Sequence, residues 1–199
     1  MAYSEFTLRD IERDFQVSIR EASDLFAAVP EATPSALLQS LLQVYTPLAL
    51  AINTEKARSE LLIAPVLVEV REQMQHCISL FSGVDFTVEP LKGLAGVCDF
   101  ILAKSPQQQF IHSPVVAVVE AKNENLKSGF GQCIAAMIGA HLFNEREGNG
   151  VPTVFGVVTS GTLWRFLQLE QAVVTLDQQE YHLRQTGKVL GILLHLVRS

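Results

Sequence analysis

Val115-Val116-Ala117-Val118-Val119-Glu120-Ala121-Lys122 is the stretch on which the fold turns. Its first five residues are all apolar and mostly β-branched, so the strand they predict has no polar face and must be covered on both sides. That is the pattern of a central strand between two layers. It then runs straight into a carboxylate and an ammonium, which are costly at a buried strand end unless something compensates them. Strand alternation places Glu120 and Lys122 on one face and Ala121 on the other. Upstream, residues 97–103 form a second apolar strand carrying Asp99. A hairpin centred between Gln109 and Phe110, in the middle of a polar connection, pairs Asp99 with Glu120 and sets their Cβ atoms about 5 Å apart. Two carboxylates that close repel. With the Ala121 carbonyl they make an oxygen-rich set of the kind Mg²⁺ prefers, and a divalent ion is the simplest compensation.

Outward from this hairpin, residues 78–88 read as a preceding strand, rich in β-branched and aromatic residues. Residues 126–147 have helical periodicity that EGNGVP (147–152) stops. Residues 153–159 and 162–169 are two further strands joined at Ser160-Gly161, and 173–176 adds another before an apolar helix over 187–197. The first 50 residues read as helical, with starts capped at Thr7 and at Thr33-Pro34-Ser35. A third helix opens at Asn53-Thr54, and Pro65 should kink or break it. The expected class is therefore α/β: one domain with a helical extension (1–53), a core (54–170) and a C-terminal strand and helix (171–199).

Composition narrows the function. A chain of 199 residues with 48% hydrophobic and 18% charged residues can bury a full core, which excludes disorder. Three cysteines (Cys77, Cys98, Cys133) cannot staple a chain this size, and their apolar settings suggest a reducing, cytoplasmic location. The apolar runs are too short to span a membrane, and the acid-containing N-terminal stretch does not read as a signal peptide. A net charge of −6 argues against broad gripping of nucleic acid and leaves room for a local, metal-assisted site.

Asp99, a gap of about 20 residues and Glu120-Ala121-Lys122 together resemble the PD-(D/E)xK nuclease superfamily, the restriction-endonuclease-like fold. The element order over 54–170 is similar to that family's αβββαβ core, whose mixed central sheet is flanked by helices. Glu60 corresponds to an acid that many members carry on the helix before the first core strand. Helical spacing to Ala57, Ala64 and Leu67 directs it inward. Gln132 corresponds to a glutamine early in the helix after the lysine strand. Residues 157–166 (VVTSGTLWRF) resemble the strand–turn–strand of type I restriction-subunit-like members. Cys98 stands where the family name has proline. Ala136 stands where the exonuclease-like branch has tyrosine, which makes end-resection a poor fit. The resemblance implies Mg²⁺ or Mn²⁺ held by Asp99, Glu120, Ala121 and Glu60, with Lys122 orienting or deprotonating the attacking water. Gln132 would position that water, and the substrate would be nucleic acid, DNA in preference to RNA.

Blander readings sit beside these. Glu60 can be a solvated residue paired with Lys56, and Gln132 a helix-surface residue. Asp99 can be a strand-start carboxylate satisfied by backbone amides. The five histidines show no zinc spacing, and Gly129 and Gly131 fit a close-packed helix start better than a phosphate cradle. Trp164 and Phe166 read as core. Only Lys92, Lys104, Lys127, Arg146 and Arg165 flank the cleft in sequence. That scarcity favours a catalytically silent member serving as a binding or assembly subunit, working with a protein partner. It also favours a homodimer, for which the apolar helix 189–197 and the helix around Leu37–Leu42 offer faces.

Overall fold

The structure is a computed structural model and describes residues 2–199. Its elements run α1 (Leu8–Phe15), β1 (Ser18–Ala22), α2 (Ala36–Ile52), α3 (Glu55–Arg58), α4 (Ala64–Gln73), β2 (Ser79–Asp85), β3 (Val97–Ala103), β4 (Val115–Ala121), α5 (Phe130–Arg146), β5 (Thr153–Thr159), β6 (Leu163–Glu170), β7 (Val173–Asp177), β8 (Tyr181–His182) and α6 (Thr186–Arg198). The eight strands form one mixed sheet in the order β1-β7-β6-β5-β4-β3-β2, with β8 beside the start of β6. Two pairs are parallel, β4 with β5 and β1 with β7. Helices cover both faces, so the α/β class read from the sequence is the class observed.

β4 lies inside this sheet between β3 and β5, and all seven of its residues are buried. One face packs Val116, Ala117, Val119 and Ala121 with apolar residues of α2, α4 and α6. The other packs Val115 and Val118 with α5 and with the N-terminal residues Tyr3, Phe6 and Ile11. The β3–β4 register has Phe100 opposite Val119 and Ile101 opposite Val118, the alignment expected from the hairpin centre. It slips by one residue between Leu102 and Ala103. There Asn144 on α5 takes over as a surrogate strand: its Oδ1 accepts from the Val115 N–H and its Nδ2 donates to the Val115 carbonyl, both at 2.7 Å.

Thr7 caps α1 and Ser35 caps α2, each accepting from a backbone N–H three residues on. The expected disturbance before Pro65 is a π-turn over Ser59–Ile63, in which the Ala64 N–H donates back to Ser59. A wide turn there suits a proline that has no N–H of its own to offer the helix.

Two expectations need correction. The first 50 residues are not all helical, because Ser18–Ala22 is a strand parallel to β7. Its sequence SIREA has too little apolar alternation to announce a strand, and backbone pairing at the sheet edge decides its conformation. The helix at 189–197 is also no free dimer face. Val189, Leu190, Ile192, Leu193, Leu196 and Val197 are all at most 1% exposed against the sheet. At roughly 1.5–3 kcal/mol per buried side chain, α6 is an internal element of the core.

Trp164 and Phe166 are core, as read, and the Trp164 indole donates to the Gly161 carbonyl. Among the described residues no helix is long and apolar enough to cross a membrane.

Candidate functional site

The site grows from the C-terminal end of β4. Backbone pairing with β5 continues through Ala121, and the Lys122 N–H donates to the Thr159 carbonyl at 2.8 Å, so the strand holds its course past the charged pair. Glu120 is only 5% exposed. Lys122 Nζ lies 2.5 Å from Glu120 Oε1 and 3.4 Å from Gln132 Oε1, which brings three of the expected residues together on the α5 side. Gly129 makes room for this arrangement. A Cβ there would sit 3.1 Å from Lys122 Cγ and 2.8 Å from Val158 Cγ1, so any side chain would crowd the lysine stem. Gly131 has an equally close neighbour, the Phe6 carbonyl at 2.0 Å from a built Cβ. Both glycines serve close packing at the start of α5.

Asp99 takes a different post from the one the hairpin geometry suggests. Its Oδ2 accepts from the Ala121 N–H at 2.8 Å, the backbone-satisfied role, and leaves its second oxygen for other partners. It opens into a cleft of about 280 Å³ shared with Glu55, Ser59, Glu60, Gly83 and Ala121. Asp99 and Glu120 still feel each other. Burial first, and the Asp99 charge second, push the Glu120 carboxyl up to about 8, against the opposing pull of Lys122. Burial works to lower the Lys122 ammonium, but Glu120 outweighs it and the net direction is upward. Burial, with the nearby Glu120 and Asp99 charges, also pushes the Cys98 thiol up to about 12, which holds it as an unreactive thiol beside the site.

Glu60 corrects a further expectation. It does not pack inward: its side chain is 60% exposed and pairs with Lys56 at 2.8 Å. The π-turn shifts the helical phase within this segment, so projection at 3.6 residues per turn misplaces it. It nevertheless lines the cleft with Asp99. Sequence reasoning missed Glu55, whose charge adds to the upward push on both Glu120 and Lys122. Its only sequence signal is its place directly after the capping Thr54. The α3 segment is fastened to the strand ends by the nearly buried Arg58, which donates to Asn53 Oδ1, the Ser160 carbonyl and Thr162 Oγ1. Asn123 Nδ2 adds a bond to the Asn53 carbonyl.

The donor set of Asp99, Glu120, Glu60 and the Ala121 carbonyl is all oxygen, the chemistry that suits a hard divalent cation. As the side chains stand, no group of three or more His, Cys, Asp or Glu among the described residues is gathered closely enough to hold an ion. Lys122 already engages one Glu120 oxygen, Oε1. Of the basic residues flanking the cleft in sequence, Arg165 is bound to the Asp177 carbonyl, Arg146 to Val88 and Glu89, and Lys104 to the Ser199 carbonyl.

Against protein-family models and curated proteins the chain finds no match.

The Glu120 shift predicts a pH effect on stability. Its folded value lies above the ordinary 4.5, so the folded chain binds the extra proton between about 4.5 and about 8. Its contribution is complete below 4.5 and is lost as pH rises through 8. Thermal unfolding of the wild type should therefore fall in midpoint from pH 5 to pH 8 more steeply than that of Glu120→Gln. Parallel profiles would show that Glu120 carries no such shift.

Proposed function

We propose that this chain is a metal-dependent phosphodiesterase of the PD-(D/E)xK type, acting on nucleic acid, DNA in preference to RNA. The observation that carries the reading is the convergence of Lys122, Glu120 and Gln132 at the end of a fully buried strand, with Asp99 bound to that strand's Ala121 amide. A buried carboxylate held against a second, half-buried one beside a lysine is expensive to maintain without a use. Asp99, Glu120, the Ala121 carbonyl and Glu60 would hold Mg²⁺ or Mn²⁺, with Glu120 exchanging its lysine partner for the ion. When bound, the ion would supply Lewis-acid stabilisation of charge on a scissile phosphate and acidify a water. Lys122, freed from Glu120, would orient that water through its ammonium, which the local charges keep protonated. Gln132 fixes the lysine head from the α5 side.

A second reading has its own observation. Lys122 is already engaged by Glu120, and three of the flanking basic residues are spent on backbone carbonyls, which suits a catalytically silent binding or assembly subunit.

Metal binding divides the readings. Mn²⁺ at 100 times its Kd should stabilise the wild type by about 2.7 kcal/mol, a rise of roughly 5–10 °C in melting temperature, and leave Asp99→Ala unmoved. An equal shift in both proteins would remove Asp99 from the site. Wild-type protein that binds Mn²⁺ yet cuts neither single-stranded, duplex nor branched DNA, nor RNA, would leave the silent subunit as the answer.

A further inference from the structure

Helix α2 has two apolar faces, and the fold uses one of them. Leu38, Leu42 and Ala49 point into the core. Leu37, Leu41, Val44, Leu48 and Ala51 follow one another at spacings of four, three, four and three residues, the interval of a helix–helix seam. With Ile52 they cover an arc of about 100°, as wide as the face a helix normally buries. Yet Leu37 is 69%, Val44 67%, Leu48 50% and Ile52 49% exposed. On α4, Val68 is 47% exposed and, with Leu37 and Leu41, lines a groove of about 320 Å³ beside the stripe.

We propose that this stripe is the two-fold interface of a homodimer, α2 packing against α2 of a second copy. Charge selects the occupant. None of the 17 residues of α2 is charged, in a chain whose net charge is −6. Two copies of this chain carry the same net charge, and a neutral stripe is a face they can bring together without like charges in contact. Each acid lining the groove already has a polar partner within the chain: Glu60 has Lys56, Glu72 has Arg71 and His76, and Glu69 has Ser35 and Gln73. Size agrees. The exposed apolar side chains offer about 500 Å² per copy, the size of the largest apolar patch on a monomer, which is often a functional surface. Two copies would bury about 1,000 Å², the lower bound for a specific interface. This assignment stands on α2 alone and holds whether or not the Asp99–Glu120 site cuts nucleic acid.

Sedimentation equilibrium on the full chain, from 1 to 100 µM, tests it. The expected mass is about twice 21.9 kDa. Val44→Glu with Leu48→Glu should raise the dimer dissociation constant at least about 100-fold, since it sets unpaired charges in a desolvated seam. Gln43→Glu, on the opposite flank, should leave the dimer intact. Circular dichroism checks that each variant is folded, and should the double variant unfold, Leu37→Gln in the first turn of α2 serves in its place. A wild type monomeric throughout overturns the proposal and gives the stripe to a different protein. A dimer that survives in the folded double variant, or in folded Leu37→Gln where that stands in for it, places the interface elsewhere and also overturns it.

Discussion

Lys122→Met is expected to slow the proposed metal-dependent cleavage by about 10² to 10⁴-fold, the usual scale for losing a group that assists a nucleophile. Methionine keeps an aliphatic stem in the space that Gly129 leaves open, so the change removes the ammonium and little else. Removing one partner of a buried ion pair ordinarily destabilises a protein severely, because the other charge is stranded. Here the stranded group is Glu120, whose carboxyl is already pushed up to about 8 and takes a proton at neutral pH. The folded state should therefore survive, with a melting temperature at pH 7 close to that of the wild type. Single-turnover cleavage with Mn²⁺ in excess, compared with thermal unfolding at the same pH, separates the two effects. Near wild-type cleavage by Lys122→Met would remove the lysine from the chemistry.

The largest loss of stability at a single polar residue is expected from Asn144→Leu. Asn144 is fully buried, and both ends of its amide are spent on the backbone of Val115, where the β3–β4 register slips. Leucine fills a similar volume and satisfies neither group, so a buried N–H and a buried C=O lose their partners together. At about 1–3 kcal/mol each, the variant should lose roughly 2–6 kcal/mol. For a chain of this length that is about 5–20 °C in melting temperature. Denaturant unfolding with an unchanged slope and a lower midpoint would confirm a loss of stability without a change of fold. A loss below about 1 kcal/mol would mean that other groups pair Val115.

The parts of the fold that follow from local pattern could be read in advance. β4 announces itself through five apolar residues, and the hairpin centre fixes its register with β3, because a one-residue slip would turn every core side chain outward. The caps at Thr7 and Ser35 and the turn at Ser160-Gly161 are equally local signals. What escaped depends on contacts distant in sequence. Ser18–Ala22 becomes a strand because β7 offers it an edge, and nothing in SIREA says so. Glu60 turns outward because of a π-turn that a regular helical projection cannot represent. Glu55 joins the site through the docking of α3 on the strand ends. The apolar helix 189–197 and the apolar face of α2 look alike on paper, and only the packing tells which is consumed inside the molecule.

The place of β1 has a consequence for how the chain is made. Ser18–Ala22 leaves the ribosome well before its partner, which lies 155 positions further along the chain. At about 5–20 residues per second, β1 waits roughly 8–30 seconds for Val173–Asp177 to be synthesised. During that interval it has no neighbour to pair with, and when β7 emerges its outer edge stays open until β1 returns to it. The sheet therefore cannot be completed in the order of translation: β1 is made well before β7 and finds its place only after it.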